Sequence, residues 1–207
     1  SLDYLQIKNG TEQLVLNRDD AAGFRLDTTF THKQHKGVQL LDSHDLTSRT
    51  DYMNKYTSVL QTSSYLFPST SSTPPTCIGV VKPHVIFEKN PSQHMADLNM
   101  LEKQEQNTAV FNRLSDGQRK DIWYVRVDGS SDEGPVHKEV QFLWTEKHIM
   151  DNHSCTVVTT RHSGGSYLNS VELMNGCLSV AHSNCFIPST LGGPVEDENG
   201  INTEQLK

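Results

Sequence analysis

Ile122-Trp123-Tyr124-Val125-Arg126-Val127-Asp128-Gly129 is the stretch whose reading decides the fold. An apolar run ends abruptly in a carboxylate and a glycine. It reads as a buried strand that delivers Asp128 to its C-terminal end, where α/β proteins place their sites. Ser130-Ser131-Asp132-Glu133-Gly134-Pro135 follows as a polar turn.

Downstream, Val140, Leu143 and Trp144 fall on one face and predict a helix over 136–150. Asp132 and Glu133 stand just ahead of it, so the expectation is N-terminal charge and capping. Cys155 to Thr160 is β-branched and reads as the next strand. Arg161-His162-Ser163-Gly164-Gly165 makes a tight loop. Leu168, Val171, Met174, Leu178 and Ala181 share a stripe that predicts a helix over 166–181, capped by Ser166. Glu172 lies one residue past Val171. That step turns about 100° around a helix, so Glu172 borders the buried stripe.

Upstream, Leu14-Val15-Leu16-Asn17-Arg18-Asp19-Asp20 is a second apolar run that terminates in carboxylates. Further strands are expected at 4–8 (ahead of the Asn9-Gly10 turn), 24–31, 57–67 and 77–82, the last closed by Pro83. Met95, Leu98 and Leu101 predict a helix over 92–105 with Ser92 as its cap. Residues 32–55, 68–76 and 106–120 read as polar connections, with Ser, Thr and Pro dominating 68–76. Strands come first and a strand–helix–strand–helix series closes the chain. That order predicts an α/β fold, a mixed sheet with helices packed on it. One domain is expected over 1–185 and an irregular polar tail over 186–207.

Composition narrows the functional classes. With 34% hydrophobic residues in 207, the chain supports one modest core and long polar loops. A net charge of -7 argues against a surface dominated by nucleic-acid-binding charge. Cys77, Cys155, Cys177 and Cys185 form no C-x-x-C pair and read as free thiols in a reducing compartment. The histidines lack zinc spacing with them, which excludes a structural zinc site. No apolar run is long enough for a transmembrane helix. Beginning at Ser1 without Met, the chain reads as a fragment.

Three acidic positions carry the chemistry: Asp19 or Asp20, Asp128, and Glu172. Oxygen donors of this kind suit hard divalent cations, and two such ions can activate a nucleophile and stabilise a leaving oxygen in phosphoryl transfer. The bland alternatives are a strand-end turn for Asp128, a solvated helix acid for Glu172 and a surface turn for Asp19-Asp20. His162 and the Gly164-Gly165-Ser166 turn could meet phosphate, and Tyr167 a base; the competing readings are an exposed histidine, a steric turn and a core-edge aromatic.

Val127-Asp128-Gly129-x-x-Asp132-Glu133, a helix, a β-branched strand, a small-residue loop and Ser166-Tyr-Leu-Asn-Ser-Val-Glu172-Leu together resemble the DDE transposase and integrase superfamily, with its RNase H-like core. The likeness is strongest to eukaryotic transposon-derived proteins, and Asn17-Arg18-Asp19-Asp20-Ala21-Ala22 resembles their first-strand motif. It spans roughly Leu14 to Ala181. In that family two acids come from strands and the third from a helix. The intervals here, 109 residues from Asp19 to Asp128 and 44 from Asp128 to Glu172, are compatible with that order. The resemblance implies Asp19, Asp128 and Glu172 as catalytic metal ligands, with Asp20 in support, and Mg²⁺ or Mn²⁺ as cofactor. It also implies transposon-end DNA as substrate, a nuclear location and a homo-oligomer, with no membrane partner. A domesticated, non-catalytic relative that binds nucleic acid or protein is the alternative. Ser130-Ser131 stand where Gly-Pro is usual, and Ser170 where Arg is common.

Overall fold

The computed structural model describes residues 12–26, 29–31, 46–48, 59–69, 74–160, 170–183, 185, 187, 196–197 and 200–201. The strand expected at 4–8, the loop 161–165 and the helix start with Ser166 and Leu168 lie outside them.

In chain order the elements are β1 (Leu14–Arg25), β2 (Thr29–Thr31), β3 (Leu46–Ser48), β4 (Val59–Phe67) and β5 (Thr76–Pro83). Then come α1 (Pro91–Glu102), a 3₁₀ turn (Glu105–Asn107), α2 (Thr108–Phe111), β6 (Ile122–Val127) and α3 (Lys138–Met150). β7 (Cys155–Thr160), α4 (Ser170–Ala181), β8 (Glu196–Asp197) and β9 (Gly200–Ile201) complete the series. Five strands form a mixed sheet in the order β5-β4-β1-β6-β7, so the chain is α/β as its pattern predicts. β1 lies at the centre, parallel to β6, which is parallel to β7.

Two compact units divide the chain: residues 1–21, 63–80 and 87–175, and residues 22–62, 81–86 and 176–207. The core of the first gathers Leu14 and Leu16 of β1, Tyr65 and Phe67 of β4, Leu98 and Leu101 of α1, Phe111 of α2, and Trp123, Val125 and Val127 of β6. Alternate residues of each strand supply it, as period-2 geometry requires. Trp123 is fully buried; its indole N–H donates to the Lys120 carbonyl at 2.7 Å, and its ring stacks on His153 at 4.8 Å. α1 packs against α3. In the second unit Phe24 stacks on His182 at 4.0 Å, β2 pairs with β3 in parallel, and β8 with β9 antiparallel.

Several expectations need correcting. β1 does not stop at its carboxylates but runs on to Arg25. Arg18 and Asp20, two residues apart on one face, form an ion pair at 3.1 Å, which makes a polar stretch compatible with a strand interior. The 24–31 strand accordingly splits between β1 and β2. The 106–120 connection contains α2, whose Phe111 is core. α1 is capped by Asn90, whose side chain accepts from the Gln93 amide at 2.8 Å, with Pro91 at the first helical position. On α4 the buried residues are Val171, Asn175 and Ser179, while Ala181 is exposed. The buried stripe is thus rotated toward polar side chains from the one its aliphatic residues predict.

Candidate functional site

The site begins with strand register. Asn17 pairs with Arg126 across the parallel β1–β6 ladder. Asp19 lies two residues further along β1, and Asp128 two residues past Arg126, one beyond the end of β6. Alternation puts Asp19 on the sheet face of Asn17, opposite to Leu16 and Arg18. Asp128 stands just beyond the end of β6 and is exposed; its Oδ1 accepts from the Gly129 amide at 2.7 Å.

Helix α4 supplies the third acid. Its buried Asn175 donates through Nδ2 to Asp19 Oδ2 at 3.3 Å, and Glu172 lies three residues earlier on the same helix, exposed. Asp19 Oδ1 accepts from the Asp20 amide at 2.8 Å. Burial, then the negative charge of Glu172, push the Asp19 carboxyl up to about 7; Asp20 and Asp128 add to the rise and the Asp20 amide opposes it. Asp19 therefore lies within the field of both other acids picked out from sequence.

The other face of the same strand carries a different assembly. Arg18 pairs with Asp20 at 3.1 Å and with Glu133 at 3.1 Å. Lys89, in the turn before α1, lies 3.4 Å from Asp20 Oδ2 and 3.4 Å from Asp132 Oδ2. His94, in the first turn of α1, puts Nε2 at 3.0 Å from Asp132 Oδ2 and 3.7 Å from Asp20 Oδ2. Its Nδ1 faces the Arg18 guanidinium. Burial works against ionisation of Asp132, yet the His94 hydrogen bond and Lys89 hold it well below the usual carboxylate range. Asp20 is also held down against burial, by Arg18, His94 and Lys89. Glu133 goes the other way: burial, with Asp20 and Asp132 assisting and Arg18 opposing, pushes it up to about 8.

Among the described residues one group gathers closely enough to hold a cation, and it is not the acid trio. Asp20, His94, Asp132 and Glu133 present ligand atoms that all lie within 4.8 Å of one another. Two basic side chains already neutralise that set. The guanidinium at Nδ1 also favours the tautomer with its proton on Nε2, the nitrogen a metal would need. The cluster fits a buried charge network better than a metal centre. Asp19, Asp128 and Glu172 differ: all are oxygen donors, two are open to solvent, and the Asp19 carboxyl is raised first by burial and then by the charge of Glu172. Oxygen donors of that kind are the ones Mg²⁺ and Mn²⁺ prefer.

Asp132 and Glu133 are not caps of α3. That helix has His137 at its N-cap, with no side-chain cap bond, and both acids turn instead into the charge network. The sequence marked these two as capping acids, and Arg18, Lys89 and His94 not at all. The one legible signal was Arg18 inside an otherwise apolar strand, because a buried arginine demands acids from elsewhere in the chain. His162, Gly164, Gly165, Ser166 and Tyr167 lie outside the described residues. Among the described residues no helix is long and apolar enough to cross a membrane. Compared with known proteins, the chain matches no family model, no curated protein and no solved structure.

Proposed function

We propose that this chain is the nuclease core of a DDE transposase-type protein, RNase H-like in fold, acting on DNA with Mg²⁺ or Mn²⁺ held by Asp19, Asp128 and Glu172. The observation that carries the reading is the place of Asp19: on β1, parallel to the strand that ends one residue before Asp128, and hydrogen-bonded to Asn175 of the helix that bears Glu172. Two acids from strands and a third from a later helix is the arrangement the sequence resemblance implies.

The bound ions would supply a nucleophile at neutral pH and stabilisation of the leaving oxygen. The protein's part is positional. The β1–β6 ladder fixes the spacing of two carboxylates, and the Asn175 amide and the Asp20 N–H occupy one lone pair on each Asp19 oxygen, orienting the others. Transposon-end DNA, a nuclear location and self-association belong to the same proposal.

Mn²⁺ calorimetry on the wild type and on Asp128→Asn tests the metal centre; equal affinities would sink it. Nicking of plasmid DNA with Mg²⁺, with Glu172→Gln as the control, tests activity. Equal nicking by both assigns the signal to a contaminant. The net charge of -7 and the Ser130-Ser131 departure favour a second reading, a non-catalytic relative that keeps the fold and binds nucleic acid or protein. Metal binding without nicking selects it.

A further inference from the structure

Lys89 stands outside the acid trio, yet it joins the two segments that carry it. Its ammonium is equidistant, at 3.4 Å, from Asp20 on β1 and from Asp132 in the loop after β6. Asp20 is the neighbour of Asp19. Asp132 lies four residues past Asp128, in a turn closed by the Gly134 and Glu133 amides, which donate to the Ser130 carbonyl at 2.7 and 3.2 Å. His94 spans the same two carboxylates from the first turn of α1, and Arg18 ties Glu133 of that turn back to β1.

We propose that Lys89 is a positioning residue for the Asp19–Asp128–Glu172 metal centre, clasping the Asp128 turn to β1 from the opposite face of the sheet. The proposal rests on the metal-centre reading above. Among the described residues the Asp128 side chain has no hydrogen-bonded partner beyond its own turn: its Oδ1 accepts from the Gly129 amide. Its height beside Asp19 is therefore set by where the turn is anchored, and the anchors are Asp132 and Glu133. Lys89 is the most accessible of the basic anchors, with 36% of its side chain exposed, so it can be replaced without opening a buried cavity.

The test exploits a difference of sign. Removing a positive charge near a cation site strengthens cation binding by Coulomb's law alone. Removing a clasp weakens it, and loss of an orienting partner typically reduces metal affinity by about 10-fold or more. Mn²⁺ calorimetry on Lys89→Met is expected to show weaker binding by about that factor, with wild-type affinity restored in Lys89→Arg. Amide exchange at Glu133 and Gly134 is expected to quicken in Lys89→Met and recover in Lys89→Arg, which thermal melting accompanies as a check on folding. Equal or tighter Mn²⁺ binding by Lys89→Met, with Asp128→Asn weakened, overturns the role of Lys89 and leaves the metal centre standing. Unchanged binding in Asp128→Asn removes the centre and the positioning role with it.

Discussion

The Asn175 amide nitrogen lies 3.3 Å from Asp19 Oδ2, so a buried side chain of α4 donates directly to an acid of β1. Replacing Asn175 by Ala removes that donor from a buried position and is expected to lower unfolding stability by about 1–3 kcal/mol. A urea midpoint that does not move would deny the contact. Asn175→Asp instead adds a carboxylate beside a carboxylate. It should destabilise the protein more than Asn175→Ala does, and Mn²⁺ should recover most of that difference.

Stability should fall as pH rises through neutrality. The Asp19 carboxyl moves from 3.8 to about 7 on folding, and Glu133 from 4.5 to about 8. The folded state binds more protons between those values, so each group's contribution is full at acid pH and is lost as pH rises through the folded pKa. His94 is held below its ordinary value, chiefly by burial, and acts in the opposite sense on the acid side. The clear window is therefore from about pH 6.5 to about pH 8. Urea midpoints should decline across it. Asp19→Asn should flatten the lower part and Glu133→Gln the upper, and a flat wild-type profile would refute both assignments.

Lys147 is the buried cation of a separate network. Its ammonium lies 2.7 Å from Asp151, 2.8 Å from Glu102 and 2.8 Å from Asn99 Oδ1, and 5.2 Å from the centre of the Trp123 ring. Lys147→Met leaves Glu102 and Asp151 facing Arg119, with His153 also near Asp151. Breaking a buried pair costs 3–5 kcal/mol, and with Arg119 still present the loss should be near the low end, about 3 kcal/mol. Trp123 fluorescence during urea unfolding reads it. A loss below about 1 kcal/mol would place the pair among exposed ones.

Gly134 is required by contact, not by dihedral angle. A Cβ there would approach the Ser130 carbonyl oxygen at 2.9 Å and the Gly129 carbonyl oxygen at 3.0 Å. Gly134→Ala should open the turn behind Asp128, reducing stability by about 1–3 kcal/mol. It should also weaken Mn²⁺ binding. Unaltered binding in a folded Gly134→Ala variant would show that Asp128 does not depend on this turn.

The parts of the fold legible in sequence were those written in periodicity. Ile122 to Val127 and Cys155 to Thr160 are strands as their patterns indicate, and Val140, Leu143 and Trp144 do place a helix. The passage of β1 through Arg18-Asp19-Asp20 was not legible, because its polar residues are tolerated only where partners from distant segments neutralise them. Phe111 gave no periodic signal, since α2 is only four residues long. Of the candidate acids, Asp128 does stand past a strand end and Glu172 on a helix, whereas Asp19 was named from a strand end that in fact lies at Arg25. His94, Lys89 and Glu133 could not be named, because their convergence is a tertiary event between positions as much as 44 residues apart in the chain.

Asp19 and Asp20 are neighbours in sequence that address different faces of one sheet. The strand thus behaves as a partition between two electrical compartments, one rich in uncompensated acid and one nearly balanced. A one-residue insertion between Asn17 and Arg18 would exchange their occupants. Arg18 would take the place beside Asp128, lending the acid side a built-in cation, while Asp19 would fall among Lys89, His94 and Asp132. Length variation in this strand is for that reason more damaging than most substitutions within it, since it rewires both compartments at once.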